Sequence, residues 1–195
     1  MGGTFNPVHN GHLLLAEHAR EELKLDQVMF IPSGVSYMKD QAHILSADIR
    51  FQMVELAVED NPFFSVSDIE IRKKGNTYTW ETIQNLKKIY TGCEFVFLVG
   101  ADSLFQMENW RNPEKIFAEC KIGAAVREGM DYDACLAKAE ELKCRFQAEI
   151  LLLHTERVDI SSTDIRSRCR EKKSIRYLVP EKVQKFMEEK QLYKQ

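Results

Sequence analysis

Gly2-Gly3-Thr4-Phe5-Asn6-Pro7-Val8-His9-Asn10-Gly11-His12 opens the chain, and the reading of the fold starts from it. Two glycines mark a turn where backbone bends sharply or approaches a ligand closely. Pro7 stiffens the loop. His9 and His12 flank Gly11 as a helical pattern begins, with Leu14, Leu15, Ala19 and Leu23 near helical spacing over His12 to Leu25. The N–H groups of a helix N-terminus favour an anion. Imidazoles placed there donate to phosphate oxygens and stabilise charge that grows in a transition state. Gly11 leaves room for a triphosphate. Taken alone, H-x-G-H also fits a glycine turn with two surface histidines; the run that precedes it favours the phosphate site.

Beyond this loop, strand and helix patterns alternate. Gln27 to Ile31 is a short apolar run ended by Pro32, a buried strand. Ser46 opens a helix with Ile49, Met53, Leu56 and Ala57 on its apolar face, and Asn61-Pro62 breaks it. Phe63 to Ile71 reads as strand, Thr79 to Tyr90 as helix, and Glu94 to Val99 as the clearest buried strand. Lys121 to Val126 and Glu149 to His154 are further strands around a helix at Asp131 to Phe146. Ser161 to Arg170 and Pro180 to Lys190 are terminal helices. This order predicts an α/β fold, a doubly wound parallel sheet with helices on both faces, in a single domain over residues 1–195. Ser33 to Leu45 is a long polar loop, and loops of that length are often functional.

Composition narrows the function classes. Of the 195 residues 44% are hydrophobic, enough for a core, and no apolar run is long enough for a membrane span. No basic-then-apolar leader precedes Gly2, so the cytosol is the expected compartment. A net charge of -3 argues against a general nucleic-acid binder but leaves room for a small anionic substrate. The five cysteines show no C-x-x-C spacing, so reduced thiols without a shared role are expected.

Near the other end lies Ile160-Ser161-Ser162-Thr163-Asp164-Ile165-Arg166. The hydroxyl residues suit a helix N-cap and Arg166 adds forked donors one turn in, which together make a second anion cradle. By itself this run is also a plain capped helix. After the clearest strand, Gly100 gives a nucleotide room and Asp102 offers a carboxylate to ribose hydroxyls; Asp102 also fits an ordinary capping aspartate.

The first run resembles the signature of the H-x-G-H nucleotidyltransferase superfamily, which has a Rossmann-like fold. In its full form, G-G-T-F-[DN]-P-x-H-x-G-H, it is similar to the bacterial nicotinate mononucleotide adenylyltransferases. I-S-S-T-x-I-R resembles the C-terminal signature of that family, and Gly100-Ala101-Asp102 its G-x-D element. The likeness covers nearly the whole chain and is weakest over residues 127–148. It implies adenylyl transfer from ATP to nicotinate mononucleotide, with Mg²⁺ accompanying the ATP and no metal held by the protein itself. It implies His9 and His12 as catalytic residues, and ATP contacts at Gly3, Thr4, Phe5, Lys39, Gly100, Asp102, Ser161, Ser162, Thr163 and Arg166. Thr77, Tyr78, Thr79 and Trp110 would surround the acceptor's nicotinate ring, Trp110 having a core role as its rival.

Three departures stand out. Thr77 and Glu81 replace the family's serine and aspartate in S-Y-T-x-D-T. Ser36-Tyr37-Met38-Lys39 stands where relatives carry P-P-H-K, with only the lysine retained, while Arg50 matches the family's arginine after this loop; either cation also fits a solvated surface. Only Met1 precedes Gly2, where the family has a central apolar strand, so the first strand is expected to be largely absent from the chain as given, with lowered stability and activity. Pantetheine-phosphate adenylyltransferase and a non-catalytic nucleotide-binding sensor remain as alternatives at this point, and a cytidylyltransferase is a weaker one.

Overall fold

The computed structural model describes residues 1–36, 44–127, 131–155 and 158–194. In chain order, strand β1 (Gly2–Gly3), helix α1 (Asn10–Glu22), strands β2 (Val28–Pro32) and β3 (Val35–Ser36) and helix α2 (Ala47–Val58) come first. Strands β4 (Phe64–Val66) and β5 (Asn76–Thr77), helix α3 (Thr79–Ile89), strand β6 (Val96–Gly100) and helix α4 (Ala101–Gln106) follow. A 3-10 turn at Met107–Asn109 leads to α5 (Pro113–Glu119), β7 (Lys121–Arg127), α6 (Tyr132–Phe146) and β8 (Ile150–Thr155). Helices α7 (Ser162–Arg170) and α8 (Glu181–Glu189) complete the series.

The chain forms two compact units, one of Gly3–Asn76 with Val158–Gln195 and one of Met1–Gly2 with Thr77–Arg157. In the first, β2 pairs in parallel with β4, Val28 opposite Phe64 and Phe30 opposite Val66. The Gly3 carbonyl accepts the Ser33 N–H at 2.8 Å. Phe5, Val8, Ala16, Ala19, Phe30, Met53, Val54 and Ile165 are buried in this unit. In the second, β6, β7 and β8 make a parallel sheet, with Val96 opposite Lys121 and Ile122 opposite Ile150. All of Ile122 to Val126 is buried, the continuous apolar run expected of a strand covered on both faces. Parallel sheets flanked by helices are the architecture expected from the sequence.

Several elements differ in detail. The stripe of α2 is rotated: Arg50, Met53, Val54 and Val58 are its buried residues, whereas Ile49, Leu56 and Ala57 are only partly covered. In α1 the buried residues are the small Ala16 and Ala19, and Leu14 is 53% exposed. Strand β4 stops at Val66 instead of running to Ile71. There the Ser67 hydroxyl accepts from Ile69 N–H and the Asp68 carbonyl accepts from Ile71 and Arg72, local bonds that replace ladder bonds. Helices α4 and α5 were not expected; each is under eight residues, too short for its periodicity to show. All five cysteines are free, and burial pushes the Cys120 thiol up to about 12, which keeps it protonated.

Candidate active site

The histidine pair lies in the first unit. His9 is the N-cap of α1, in extended conformation (φ −149°, ψ 167°), and is 7% exposed. The ring of His12 turns back over it, with centroids 3.7 Å apart and planes 27° from parallel. The His9 N–H donates to His12 Nδ1 at 3.2 Å. A nitrogen that accepts carries no proton, so the neutral His12 ring has its hydrogen on Nε2 and offers it as a donor. The Phe5 ring meets His12 edge-on at 5.0 Å. The space that Gly11 leaves is filled by His9: a Cβ there would lie 3.1 Å from His9 Nδ1. Gly11 therefore makes room for an imidazole, where the sequence suggested a triphosphate.

The second signature run joins the first within the same unit. Ser161 caps α7 by accepting the Asp164 N–H at 3.1 Å. Ser162 Oγ donates to the Pro7 carbonyl at 2.8 Å. Arg166 donates from Nη1 to the Asn6 carbonyl at 2.9 Å and from Nη2 to Thr163 Oγ1 at 3.2 Å. The two runs, 155 to 160 residues apart along the chain at these bonds, thus share one surface. Sequence reasoning placed Ser162 and Arg166 on phosphate. Their bonds in the structure hold the histidine loop; a guanidinium has five N–H donors, so two bonds do not exhaust it. Helix α1 has also committed part of its first turn: Asn10 N–H donates to the Leu178 carbonyl at 2.9 Å and His12 N–H to that of His9 at 2.9 Å. The anion cradle at this end is narrower than a bare helix terminus.

Arg50, which matches the family's arginine after the long loop, is buried under the histidine loop and not a solvated surface cation. Arg50 is 2% exposed. Its guanidinium donates to the carbonyls of Thr4 at 2.7 Å, Ser33 at 2.6 Å and Leu45 at 3.0 Å. The glycine turn, the exit of β2 and the entry to α2 meet on that one side chain. Burial lowers the guanidinium from its ordinary value, and nearby Tyr193 and Glu70 oppose the shift. Tyr193 Oη donates to Asn6 Oδ1 at 2.7 Å, which also accepts the Leu45 N–H at 3.3 Å. The available signal was position: Arg50 falls on the same helical stripe as Met53 and Val54. Lys39 lies outside the described residues.

The remaining candidates lie in the second unit. Thr77 is buried at the end of β5; Tyr78 is the N-cap of α3 and Thr79 its first residue. The Arg111 guanidinium stands 5.7 Å from the centre of the Tyr78 ring, bringing this segment beside the neighbour of Trp110. Trp110 is half-buried, edge-on to Phe97 at 6.2 Å, and its indole Nε1 is buried without a partner among the described residues. Gly100 closes β6 and precedes α4, and a Cβ added there meets nothing within 4 Å. Asp102 is exposed in the first turn of α4, whose N-cap is Gly100, so it is not the cap.

The glycines give a sharp prediction. A Cβ on Gly3 would lie 2.8 Å from the Phe5 ring, which is itself held by His12 and Phe30. Gly3→Ala should destabilise by about 1–3 kcal/mol. Gly100→Ala, in open space with φ −80°, should leave the melting temperature unchanged. Thermal melting of the two variants side by side checks this; equal shifts would contradict it.

Residues 1–168 match the cytidylyltransferase-like family. A curated relative from Lachnoclostridium phytofermentans is 44% identical over 187 residues, covering 96% of this chain and 94% of its own. One from Desulfitobacterium hafniense is 41% identical over 194 residues, covering 100% and 94%. Both carry the name "Probable nicotinate-nucleotide adenylyltransferase". A solved Plasmodium falciparum nicotinic acid mononucleotide adenylyltransferase complexed with NaAD matches with a TM-score of 0.80 at 16% identity, covering 98% of this chain and 94% of that one. The fold is thus the Rossmann-like nucleotidyltransferase fold. The chain belongs to the cytidylyltransferase-like family, among the nicotinate-nucleotide adenylyltransferases.

Proposed function

We propose that this chain transfers the adenylyl group of ATP to nicotinate mononucleotide, giving deamido-NAD and pyrophosphate in NAD biosynthesis. The observation that carries this reading is the locking of α7 onto the loop of the paired imidazoles, through Ser162 on Pro7 and Arg166 on Asn6. An oxygen of the acceptor's phosphate attacks the α-phosphorus of ATP. The new phosphorus–oxygen bond forms as the bond to the β-phosphate bridge breaks, and pyrophosphate leaves. The substrate supplies the nucleophile, so the protein's work is positioning and charge stabilisation.

His12 donates from Nε2 to the α-phosphoryl oxygens, and His9 orients it through its backbone N–H and stacked ring. Gly3, Thr4 and Phe5 shape the turn beneath ATP. Ser161, Ser162, Thr163 and Arg166 hold the β- and γ-phosphates, with Lys39 as a further phosphate contact. Gly100 and Asp102 take the nucleoside. Thr77, Tyr78, Thr79 and Trp110 take the acceptor, and residues 1–195 act as one nucleotidyltransferase domain. Among the described residues no group of three or more His, Cys, Asp or Glu could hold a metal ion. In this reading Mg²⁺ comes with the ATP, carried by phosphate oxygens and water as that ion commonly is, and would offset the charge of the departing pyrophosphate. No helix among the described residues is long and apolar enough to cross a membrane. The reading places the reaction in the cytoplasm, with ATP and nicotinate mononucleotide as small-molecule partners.

Pyrophosphate release with ATP and Mg²⁺ tests the reading, with nicotinate mononucleotide, nicotinamide mononucleotide and phosphopantetheine as acceptors. Release with nicotinate mononucleotide is expected. Release only with another acceptor would replace the substrate, and none with any would remove the reaction.

A further inference from the structure

We propose that α6 sets acceptor binding from a distance, by holding Glu108 in a closed ring of four charges and so fixing Trp110. Lys138 Nζ pairs with Glu108 Oε1 at 2.5 Å and with Glu141 Oε2 at 3.0 Å. Arg145 Nη1 pairs with Glu141 Oε1 at 2.9 Å and also with Glu108 Oε2. Each carboxylate receives both cations and each cation meets both carboxylates, so charge alternates around the ring and sums to zero. Lys138, Glu141 and Arg145 lie on one stripe of α6 at i, i+3 and i+7. Glu108 alone comes from elsewhere, the 3-10 turn Met107–Asn109.

That turn ends on Trp110, whose N–H donates to the Met107 carbonyl at 3.1 Å. Met107 is fully buried, so the turn is anchored by the core on one side and by Glu108 on the other. Isolated surface pairs contribute little. This ring differs because Lys138 is only 8% exposed, and loss of a partner would leave its ammonium poorly solvated. Hydrogen bonds from Lys138 and Arg145 hold the Glu108 carboxyl below its ordinary range, so it stays charged in the ring. The turn carrying the acceptor's aromatic residue therefore has one rotational setting, and α6 supplies it. Glu108 and Lys138 are positioning residues, and the inference rests on the reading of Trp110 as an acceptor contact.

Steady-state kinetics of Glu108→Gln, Lys138→Met and Lys138→Arg, with melting temperatures, test the proposal. KM for nicotinate mononucleotide should rise about tenfold in the first two, with KM for ATP unchanged, and Lys138→Arg should recover most of the loss. Glu108→Gln keeps the shape of the side chain, which guards against a Lys138→Met chain that fails to fold. Folded variants with both KM values unchanged, or with both raised together, would overturn the proposal. Trp110→Ala separates the two layers: no change in KM for nicotinate mononucleotide would remove Trp110 from the acceptor site. In that case Trp110 emission in a Trp80→Phe background still judges the ring, since a fixed spectrum on Glu108→Gln would show that Glu108 does not position Trp110.

Discussion

Replacing His12 by alanine should lower kcat about 10²–10³-fold, the usual cost of removing one transition-state donor, while ATP affinity stays near its starting value. The reason lies in the tautomer. His9 N–H donates to His12 Nδ1, so the hydrogen of the neutral ring sits on Nε2, the donor that this reading aims at a phosphoryl oxygen. The stacked His9 ring and the edge of Phe5 hold that donor in place before substrate arrives. A preorganised donor is worth most where charge grows, which is in the transition state rather than in bound ATP. Steady-state rates combined with titration calorimetry of ATP check both halves. An unaltered kcat would remove His12 from the chemistry; a large loss of ATP affinity at constant kcat would make it a ground-state contact.

Arg50→Leu should destabilise the protein by about 3–5 kcal/mol, the range for stripping partners from a buried charged network, and lower the melting temperature by about 10 °C. The leucine fits the buried stripe of α2, so loss of packing alone would be small. What is lost are donors to the Thr4, Ser33 and Leu45 carbonyls, which water reaches poorly at a site 2% exposed. Arg50→Lys should recover only part, because a single ammonium does not span a planar fork. Chemical denaturation of the three proteins measures the series. A leucine variant within about 1 kcal/mol of the parent would mean that the loop is held by other bonds.

Ser46 illustrates what was legible locally. Its hydroxyl accepts the Ile49 N–H at 3.4 Å, and α2 begins at the next residue, as an N-cap serine predicts. Asp131 at α6 and Ser161 at α7 behave alike, each accepting the N–H three residues on. Strands β7 and β8 were legible because apolar runs of that length between turn signals have few alternatives. Buried polar chemistry was not legible. Arg50 was legible as the family's arginine but its burial was not, because helical spacing does not say which carbonyls will surround a side chain. Glu108 and Lys138, thirty positions apart, carry no local sign that they will meet.

The sequence by itself determined the fold class, the family and the residue types of the candidate site. Those follow from local spacing, capping chemistry and signature runs, each contained within about a dozen residues. Only the tertiary structure decided what these residues do to one another. It gave Gly11's space to the His9 ring, turned Ser162 and Arg166 onto the Pro7 and Asn6 carbonyls, buried Arg50 beneath the glycine turn, and closed the charge ring on Glu108. Each outcome is a pairing between distant segments, and the geometry of a hydrogen bond or ion pair is set by the packed fold, which no window of sequence contains.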